Sequence, residues 1–244
     1  GIVGSRFATR QALDVGFRLG EGLGRARLVV VSGLARGVDA AAHRGALRGG
    51  GRTVAVLGNG ADVVYPPEHT ALAEAIAGGG ALVTEFAPGV PPRGWHFPRR
   101  NRIISGISLG VVIVEAAQRS GSLITAKCAL EQGRSVMAVP GAVPGGRNRG
   151  AHRLLHDGAG VVEDARDVVE QLVADWPREF EGDHPEPAGG AADDPGTRPA
   201  VTAALPVPGA TLSTLMRIEV TFDEPVDGVE AADLLVNGQP ASQV

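Results

Sequence analysis

Residues 30–43 read Val30-Val31-Ser32-Gly33-Leu34-Ala35-Arg36-Gly37-Val38-Asp39-Ala40-Ala41-Ala42-His43. A short apolar run is followed by a loop of small residues and then by a segment with the spacing of a helix. The same order recurs along the chain. Valine-rich runs predict strands at 28–31, 53–57, 81–84, 111–114, 136–139 and 160–162. Helical spacing predicts helices at 9–23, 38–47, 69–77, 101–107, 122–132, 149–156 and 164–174.

Continuous apolar strands separated by helices are typical of a parallel sheet that is covered on both faces. We therefore predict an open, doubly wound α/β domain over residues 1–174. With 244 residues, 43% of them hydrophobic, the chain is long enough to bury such a core. No apolar stretch approaches the roughly 18 residues of a membrane-spanning helix, so we expect no membrane contact. The single cysteine, Cys128, favours a reducing compartment.

The net charge of -4 conceals an uneven distribution of charge. Residues 1–174 carry 20 Arg and Lys against 14 Asp and Glu, a net charge of +6. Residues 175–244 carry 3 against 13, a net charge of -10. Arginine presents a planar fork of donors that suits phosphate, although a GC-rich genome produces the same excess of arginine. The placement of the arginines, rather than their number, therefore bears on function.

The composition changes after Trp176. Residues 177–210 hold seven prolines and show no periodicity, which predicts an extended, solvated linker over 175–212. Alternation at 217–222 and an apolar run at 234–236 before Asn237-Gly238 predict strands in the remaining segment, 213–244. This incomplete β segment resembles the start of a bacterial immunoglobulin-like repeat. Such repeats are usually extracellular, so we expect the tail to be foreign to the body or truncated.

The first candidate anion site is Gly4-Ser5-Arg6, which follows a short apolar strand and precedes a helix. A glycine there lets the backbone approach a ligand, and the helix N-terminus and the arginine supply positive charge. An ordinary strand-to-helix turn with a surface arginine is the alternative. The full G-x-G-x-x-G pattern is absent, so the residues do not support a dinucleotide site.

Two further loops follow strands in the same way. The loop after residues 28–31 offers Ser32-Gly33 and Arg36-Gly37 as ligand contacts. Asp39 and His43 lie on one face of the next helix; we favour a helix cap with a packed histidine over a metal or acid–base pair. The loop at 58–69 contains Asp62, Glu68 and His69, and we favour turn chemistry there over a hydrolytic site.

Residues 93–102 give the strongest signal for nucleic acid. Their sequence is Arg93-Gly94-Trp95-His96-Phe97-Pro98-Arg99-Arg100-Asn101-Arg102, with four arginines and no acidic residue. Arginines neutralise phosphates, and aromatic rings stack unpaired bases. Aromatic residues packed beneath a loop with solvated arginines are the alternative. Because aromatic residues make up only 4% of the chain, their clustering favours binding.

Another candidate anion loop, Ser120-Gly121-Ser122, opens a predicted helix after a strand, and Ser122 is a plausible N-cap. A basic, glycine-rich loop follows at 140–150. In an open α/β sheet, all of these loops gather outside the carboxyl ends of the strands. The sequence therefore predicts one groove for several phosphates rather than a pocket for a single phosphate.

These residues, in this order, strongly resemble the DprA/Smf family of DNA-processing proteins of bacterial natural transformation. The matching segments are 2–6, 32–39 with 41–43, 55–58 with 62 and 65–66, 96–98 with 100–104, 115–116, 120–125 and 139–141. The resemblance covers residues 1 to about 172 and implies an extended Rossmann-like domain. It further implies a cytoplasmic homodimer that binds single-stranded DNA, protects it and helps to load the RecA recombinase, without enzymatic activity.

The resemblance assigns single-stranded DNA or phosphate binding to a defined set of positions. They are Gly4, Ser5, Arg6, Ser32, Gly33, Arg36, Gly37, Phe97, Arg100, Asn101, Arg102, Ser120, Gly121 and Ser122, with Arg93 one position from where a basic residue is common. It implies no cofactor, metal or catalytic residue. Many family members carry a helical domain before this body and a winged-helix domain after it. The first is expected upstream of Gly1, and the acidic tail stands in place of the second.

We therefore expect a sequence-independent single-stranded DNA binder that acts as a recombination mediator. Two other functions remain open. One is a nucleotide N-glycosidase on a related Rossmann-like fold, which needs a carboxylate beside a ribose; Glu115 is its best candidate. The other is a purely structural dimerisation module, which predicts no DNA binding even at low salt.

Overall fold

The computed structural model describes residues 1–176 and, beyond them, only the backbone of four short strands. Residues 177–200, 206–218, 223–234, 237–238 and 241–244 lie outside the described residues. Among the residues that are described, no helix is both long and apolar enough to cross a membrane.

Seven parallel strands form the centre of the body. They are β1 (Ile2–Val3), β2 (Val30–Ser32), β3 (Thr53–Val56), β4 (Ala81–Val83), β5 (Gly110–Ile113), β6 (Ser135–Ala138) and β7 (Gly160–Val161). Strands β1, β5, β6 and β7 pair in this order, as do β2, β3 and β4. The two groups meet where β1 lies beside β2, and the Ser32 hydroxyl donates a 2.6 Å hydrogen bond to the Ile2 carbonyl. The chain therefore winds outward from β1 in both directions.

Seven helices cover the strands. They are α1 (Arg10–Arg25), α2 (Val38–Arg48), α3 (Thr70–Gly79), α4 (His96–Gly106), α5 (Ser122–Glu131), α6 (Arg149–His156) and α7 (Ala165–Asp175). Successive strand side chains point to opposite faces. Accordingly, Ile2 and Met137 pack with α1, α2 and α7, whereas their neighbours Val3 and Ala138 pack with α4, α5 and α6. Because both faces are buried, the strands are apolar throughout.

Helices α1 and α2 pack unusually closely because each carries glycine at the contact. A Cβ atom on Gly20 would overlap the Ala42 carbonyl, and one on Gly45 would overlap the Phe17 carbonyl. The contact fixes α2, and with it the loop that leads from β2 into the helix, against the start of the chain.

The doubly wound, Rossmann-like fold is confirmed, and most element ends fall within two residues of the predicted ones. Helix α4 differs most, because it begins at His96 rather than at residue 101. Pro98 lies in its first turn, where proline is tolerated since no intrahelical N–H bond is lost.

The body extends slightly beyond the predicted end at residue 174. Helix α7 ends at Asp175, and Trp176 packs against the core while its Nε1 donates to the Ser135 hydroxyl at 3.3 Å. In the tail, β8 (Val201–Leu205) pairs antiparallel with β9 (Glu219–Phe222). Strand β8 lies inside the segment 175–212, and the bounds of the predicted linker stay a prediction.

The remaining strands of the tail are β10 (Leu235–Val236) and β11 (Gln239–Pro240), which pair antiparallel. Strands β9 and β10 coincide with the runs predicted at 217–222 and 234–236. The rest of the predicted linker and β segment lies outside the described residues.

Candidate nucleic-acid interface

A cleft of about 490 Å³ opens at the carboxyl ends of β1 and β5. The chain winds to one side from β1 to β4 and resumes on the other side at β5, so this is the point where the direction of winding changes. Ligands of doubly wound sheets bind at such a point. The cleft is lined mainly by residues of 3–7, 97–104 and 115–125, together with Asp39 and Arg147.

The turn after β1 forms one wall of the cleft. Gly4 lies so close to α2 that a Cβ atom there would sit 2.7 Å from a methyl carbon of Val38. The Val38 N–H donates to the Ser5 carbonyl at 3.2 Å, and the Ser5 hydroxyl accepts from the Phe7 N–H. The Arg6 guanidinium lies 5.2 Å from the centre of the Phe97 ring. A cation and an aromatic face are thus presented together, as a nucleotide requires.

The opposite wall is the start of α5. The hydroxyls of Ser120 and Ser122 lie 2.8 Å apart, and the Asn101 amide donates to the Gly121 carbonyl at 3.3 Å. The predicted Ser122 cap is wrong, because Gly121 occupies the N-cap position; the Ser120 hydroxyl accepts from the Ser122 N–H at 3.4 Å instead. The positive end of the helix dipole therefore lies at the cleft with two hydroxyls beside it.

Arg100 lies at the floor of the cleft and is only 3% exposed. Its Nη1 donates to the carbonyls of Gly33, at 2.8 Å, and Val56. Burial lowers the pKa of Arg100 to about 10, against the opposing effect of Asp39. Burial also raises the pKa of Asp39, and the Arg100 charge opposes that shift. Arg100 joins the ends of β2 and β3 from the floor of the cleft, and its expected contact with a phosphate stays a prediction.

Three predicted ligand contacts of the second loop are packed behind the cleft. Ser32 is fully buried, and its hydroxyl is used in the bond to β1. Gly33 leaves room for Arg100, since a Cβ atom there would lie 2.5 Å from the Arg100 Nη2. Gly37 has φ +79°, and a Cβ atom would overlap the Ser5 carbonyl. These positions are constrained by packing, and none of them lines the cleft.

The other predicted arginines, which lie outside the turn after β1, are either paired with a carboxylate or exposed away from the cleft. Arg36 pairs with Glu68, while Arg102 and its neighbour Arg99 share Glu85 at 2.5 and 3.2 Å. Arg93 is exposed and does not line the cleft. Arg36, Arg93 and Arg102 are therefore not placed at the cleft with Arg6 and Phe97.

The polar residues of the second and third loops make internal contacts, but the helix cap that we favoured for Asp39 is wrong. The His43 Nδ1 lies 2.6 Å from the Thr53 hydroxyl, and burial lowers the His43 pKa to about 3. Asp39 does not cap α2, whose N-cap is Gly37; it accepts from the Ala35 N–H at 3.4 Å. Asp62 accepts from the Gly89 N–H at 2.8 Å, a contact between two loops that lie 27 residues apart in the sequence.

Three cleft residues were missed by the sequence reasoning. Phe7 is 82% exposed at the rim, Arg119 precedes the Ser120-Gly121-Ser122 loop, and Arg147 reaches over from the loop at 140–150. The Arg147 Nη1 donates to the Phe7 carbonyl at 3.0 Å. Each lies in or beside a segment that the sequence analysis had identified as a candidate loop. This proximity is the signal from which they could have been predicted.

The pairing of these arginines sets the charge of the cleft. Among the residues that the structure describes, Arg6, Arg119 and Arg147 make no ion pair with a carboxylate, whereas the three peripheral arginines Arg36, Arg99 and Arg102 all do. We call the first set the cleft arginines and the second the paired arginines.

Glu115 lies at the end of β5 and is 2% exposed. Its carboxylate accepts from the Thr9 hydroxyl at 2.7 Å and from the Thr9 N–H at 3.3 Å. Thr9 is the N-cap of α1, so Glu115 holds the start of that helix against β5. Glu115 also borders a second, smaller cavity of about 140 Å³.

The family model of DNA recombination-mediator protein A matches residues 1–173. The chain belongs to this family. Protein Smf of Escherichia coli K12 is 48% identical over 172 residues, which are 70% of this chain and 46% of that protein. DNA processing protein DprA of Streptococcus pneumoniae is 44% identical over 171 residues, which are 70% of this chain and 60% of that protein. The chain thus spans about half the length of the curated relatives that it matches.

A DprA relative from Mycobacterium tuberculosis H37Rv bears on the tail. It is 42% identical over 219 residues, which are 90% of this chain and 55% of that protein. The similarity therefore extends beyond Trp176, which counts against the expectation that the tail is foreign to the body.

Solved structures agree with the family assignment. The S. pneumoniae DprA structure has a TM-score of 0.66 over 70% of this chain and 60% of that chain. DNA processing protein A of Helicobacter pylori, which was studied for its single-stranded DNA binding mode, has a TM-score of 0.65 at 27% identity, over 72% of this chain and 80% of that chain.

Proposed function

We propose that this chain binds single-stranded DNA without sequence preference, as a recombination mediator in natural transformation. The observation that carries the proposal is the joint presence of three cleft arginines and two aromatic side chains, Phe7 and Phe97, at the point where the sheet changes direction. The single-stranded DNA binding of the H. pylori relative supports the same ligand.

The chemistry of the cleft suits an unpaired strand. The cleft arginines neutralise successive phosphates, and the Ser120 and Ser122 hydroxyls and the start of α5 supply further donors. Phe97, held under Arg6, and the exposed Phe7 offer faces on which bases stack. In duplex DNA the bases are already stacked on each other, so these rings favour a single strand. None of these contacts depends on base identity.

The wider role follows from family membership and belongs to the same proposal. We propose that the protein acts in the cytoplasm as a homodimer, that RecA is its partner and that it loads RecA onto the bound strand. We propose no catalytic step, cofactor or metal. A nucleotide N-glycosidase has less support, since its candidate residue Glu115 is buried and already accepts hydrogen bonds from Thr9.

Fluorescence anisotropy of a labelled oligo-dT, titrated with the full 244-residue chain, tests the proposal. We expect affinity to fall steeply with salt, by roughly 0.7 log units per released counterion for each decade of salt. An unlabelled single strand should compete far better than the matching duplex. Binding that does not depend on salt, or that favours the duplex, would contradict the proposal.

A further inference from the structure

We propose that a cluster of arginines at the edge of the sheet opposite to the cleft binds the phosphate backbone of a DNA duplex. The cluster comprises Arg27, Arg44, Arg48 and Arg52, and we call it the basic corner. It adds a second, separate DNA contact to the single-stranded DNA binding proposed above. The proposal does not rest on that function, because none of the four residues lines the cleft.

The basic corner lies at the amino ends of β2 and β3. Arg27 precedes β2 by three residues, and Arg52 comes directly before β3. The two segments are adjacent, because the Val30 N–H donates to the Arg52 carbonyl at 3.2 Å. The ends of α1 and α2 meet at the same place, since a Cβ atom on Gly51 would lie 2.3 Å from the Gly24 Cα. The cleft opens at the carboxyl ends of the strands, so the two surfaces lie at opposite edges of the sheet.

The basic corner carries positive charge that the described part of the chain does not neutralise. All four side chains are exposed, and none of them forms an ion pair within residues 1–176. The neighbouring carboxylate, Glu21, is already bonded to Arg25 at 2.6 Å. The charge is therefore available to an anionic ligand.

Helix stability does not account for these arginines. Arg48 lies in the last turn of α2, where a cation offsets the helix dipole. Arg44 lies one turn earlier on the same face, and like charges at this spacing destabilise a helix. Arg27 and Arg52 lie outside the helices. Three of the four arginines are thus in excess of what the helix ends require.

Arg27 occupies a position where the backbone favours glycine. Helix α1 ends with the Arg27 N–H donating to the Gly24 carbonyl and the next N–H donating to the Leu23 carbonyl, each at 3.0 Å. Helix α2 ends in the same way, and its equivalent residue is Gly50, with φ +73°. Arg27 has φ +60°, which is unfavourable for a residue with a Cβ atom. An unfavourable backbone conformation that is retained points to a function of the side chain.

Arginines without aromatic partners suit a duplex better than an unpaired strand. Guanidinium groups bind phosphates, whereas unpaired bases need rings on which to stack. The exposed aromatic side chains of the described residues, Phe7, Tyr65 and Trp95, follow β1, β3 and β4 and so lie at the other edge of the sheet. A duplex carries about one negative charge per 1.7 Å of its axis, twice the density of either strand. The basic corner therefore gains most from a duplex.

The test asks whether one chain holds a single strand and a duplex together. The full 244-residue chain is saturated with unlabelled short oligo-dT, and a labelled duplex is then titrated by fluorescence anisotropy. We expect the duplex to bind the saturated chain with nearly its affinity for the free chain, because the two sites are separate. Its log affinity should fall by roughly 0.9 per phosphate contact for each decade of salt.

The corner variant is Arg27→Ala/Arg48→Ala/Arg52→Ala. It should lower the salt slope of duplex binding by about 2.7, the contribution of three contacts. Its affinity for oligo-dT should stay nearly unchanged, since charges beyond about 10 Å are screened at 0.1 M salt. The matched control, Arg18→Ala/Arg99→Ala/Arg153→Ala, removes an equal charge from exposed ion pairs and should retain both kinds of binding.

The single variant Arg27→Gly separates binding from folding. Glycine relieves the positive φ at the end of α1, so this variant should unfold at a temperature no lower than the wild type. It should nevertheless lower the salt slope of duplex binding by about 0.9, the share of one contact. Duplex binding identical to that of the wild type would assign the contact to other residues.

Three further results would overturn the proposal. Displacement of oligo-dT by the duplex would place both ligands in one site. An equal loss of duplex binding in the control variant would show that total charge is responsible. Binding of poly-L-glutamate to the saturated chain without binding of the duplex would make an acidic protein the ligand. Absence of duplex binding contradicts the basic corner alone, whereas absence of oligo-dT binding contradicts the proposed function alone.

Discussion

Replacing the three cleft arginines together, in Arg6→Ala/Arg119→Ala/Arg147→Ala, is expected to flatten the salt dependence of single-stranded DNA binding. Each phosphate contact on a single strand contributes about 0.7 to the slope of log affinity against log salt, so three contacts contribute about 2. Extrapolated from 1 M to 0.1 M salt, the same three contacts amount to about a hundredfold in affinity. The side chains line the cleft and form no ion pair among the described residues, so their removal leaves no carboxylate unpaired there.

The structure offers a control with the same change of charge. The paired arginines Arg36, Arg99 and Arg102 share two carboxylates, Glu68 and Glu85, so the set keeps only one unit of unpaired positive charge. Their replacement by Ala is expected to change the slope by less than 1, because no phosphate contact is lost.

Both triple variants are measured by anisotropy with labelled oligo-dT at 50, 100, 200 and 400 mM salt, after thermal unfolding has shown that each is folded. If the paired set flattens the slope as much as the cleft set, then total charge controls binding. The assignment of phosphate contacts to the cleft would then be refuted.

Four further changes test other parts of the structure. Arg100→Ala should lower the free energy of unfolding by about 3–5 kcal/mol, because two carbonyls lose their donor and the buried Asp39 loses its neighbouring positive charge. A loss below about 1 kcal/mol in urea unfolding would contradict the structural role of Arg100 between β2 and β3. Phe7→Ala should weaken oligo-dT binding by about 1–3 kcal/mol and leave the salt slope unchanged, since it removes stacking alone; anisotropy at two salt concentrations separates these effects. The pKa of His43 is about 3 in the folded chain against 6.5 ordinarily, so the unfolded chain takes up the proton first as the pH falls. The stability advantage of the wild type over His43→Gln should therefore shrink by about 1.4 kcal/mol per pH unit below about pH 6, and a constant difference would exclude a buried neutral His43. Deletion of residues 177–244 removes 12 acidic and 3 basic residues and should leave DNA affinity unchanged or raised; weaker binding would show that the tail takes part.

Much of the fold was accessible from the sequence because the strands are buried on both faces. Such strands are continuous apolar runs, and the helices between them keep a regular spacing. The start of α4 was missed for a physical reason. Its first turn holds His96, Phe97 and Pro98, which have low helix propensity. The helix forms there because His96 and Phe97 pack against Gly58 in the loop after β3.

The location of the cleft was also predictable, whereas the role of each arginine was not. Loops after parallel strands converge at one edge, so Gly4, Ser5 and Ser120–Ser122 were placed together from chain order alone. Whether an arginine is bonded to protein groups or left available for a ligand depends on residues far away in the sequence. Arg100 bonds to a carbonyl 67 residues away, Arg36 to a carboxylate 32 residues away and Arg102 to one 17 residues away. No local pattern contains these separations.

The pairing of arginines with distant carboxylates also explains how a chain with a net charge of -4 offers a positive cleft. At 0.1 M salt, charges further apart than about 10 Å are largely screened, so a bound phosphate responds to the few groups near it and not to the total charge. Near the cleft, Arg6, Arg119 and Arg147 are free of carboxylate partners among the described residues, while Glu68 and Glu85 are occupied by arginines at the periphery. We expect the charge of the acidic tail to act on a bound phosphate through this screened field. Any gain from deleting the tail should therefore grow as the salt concentration falls and disappear at high salt.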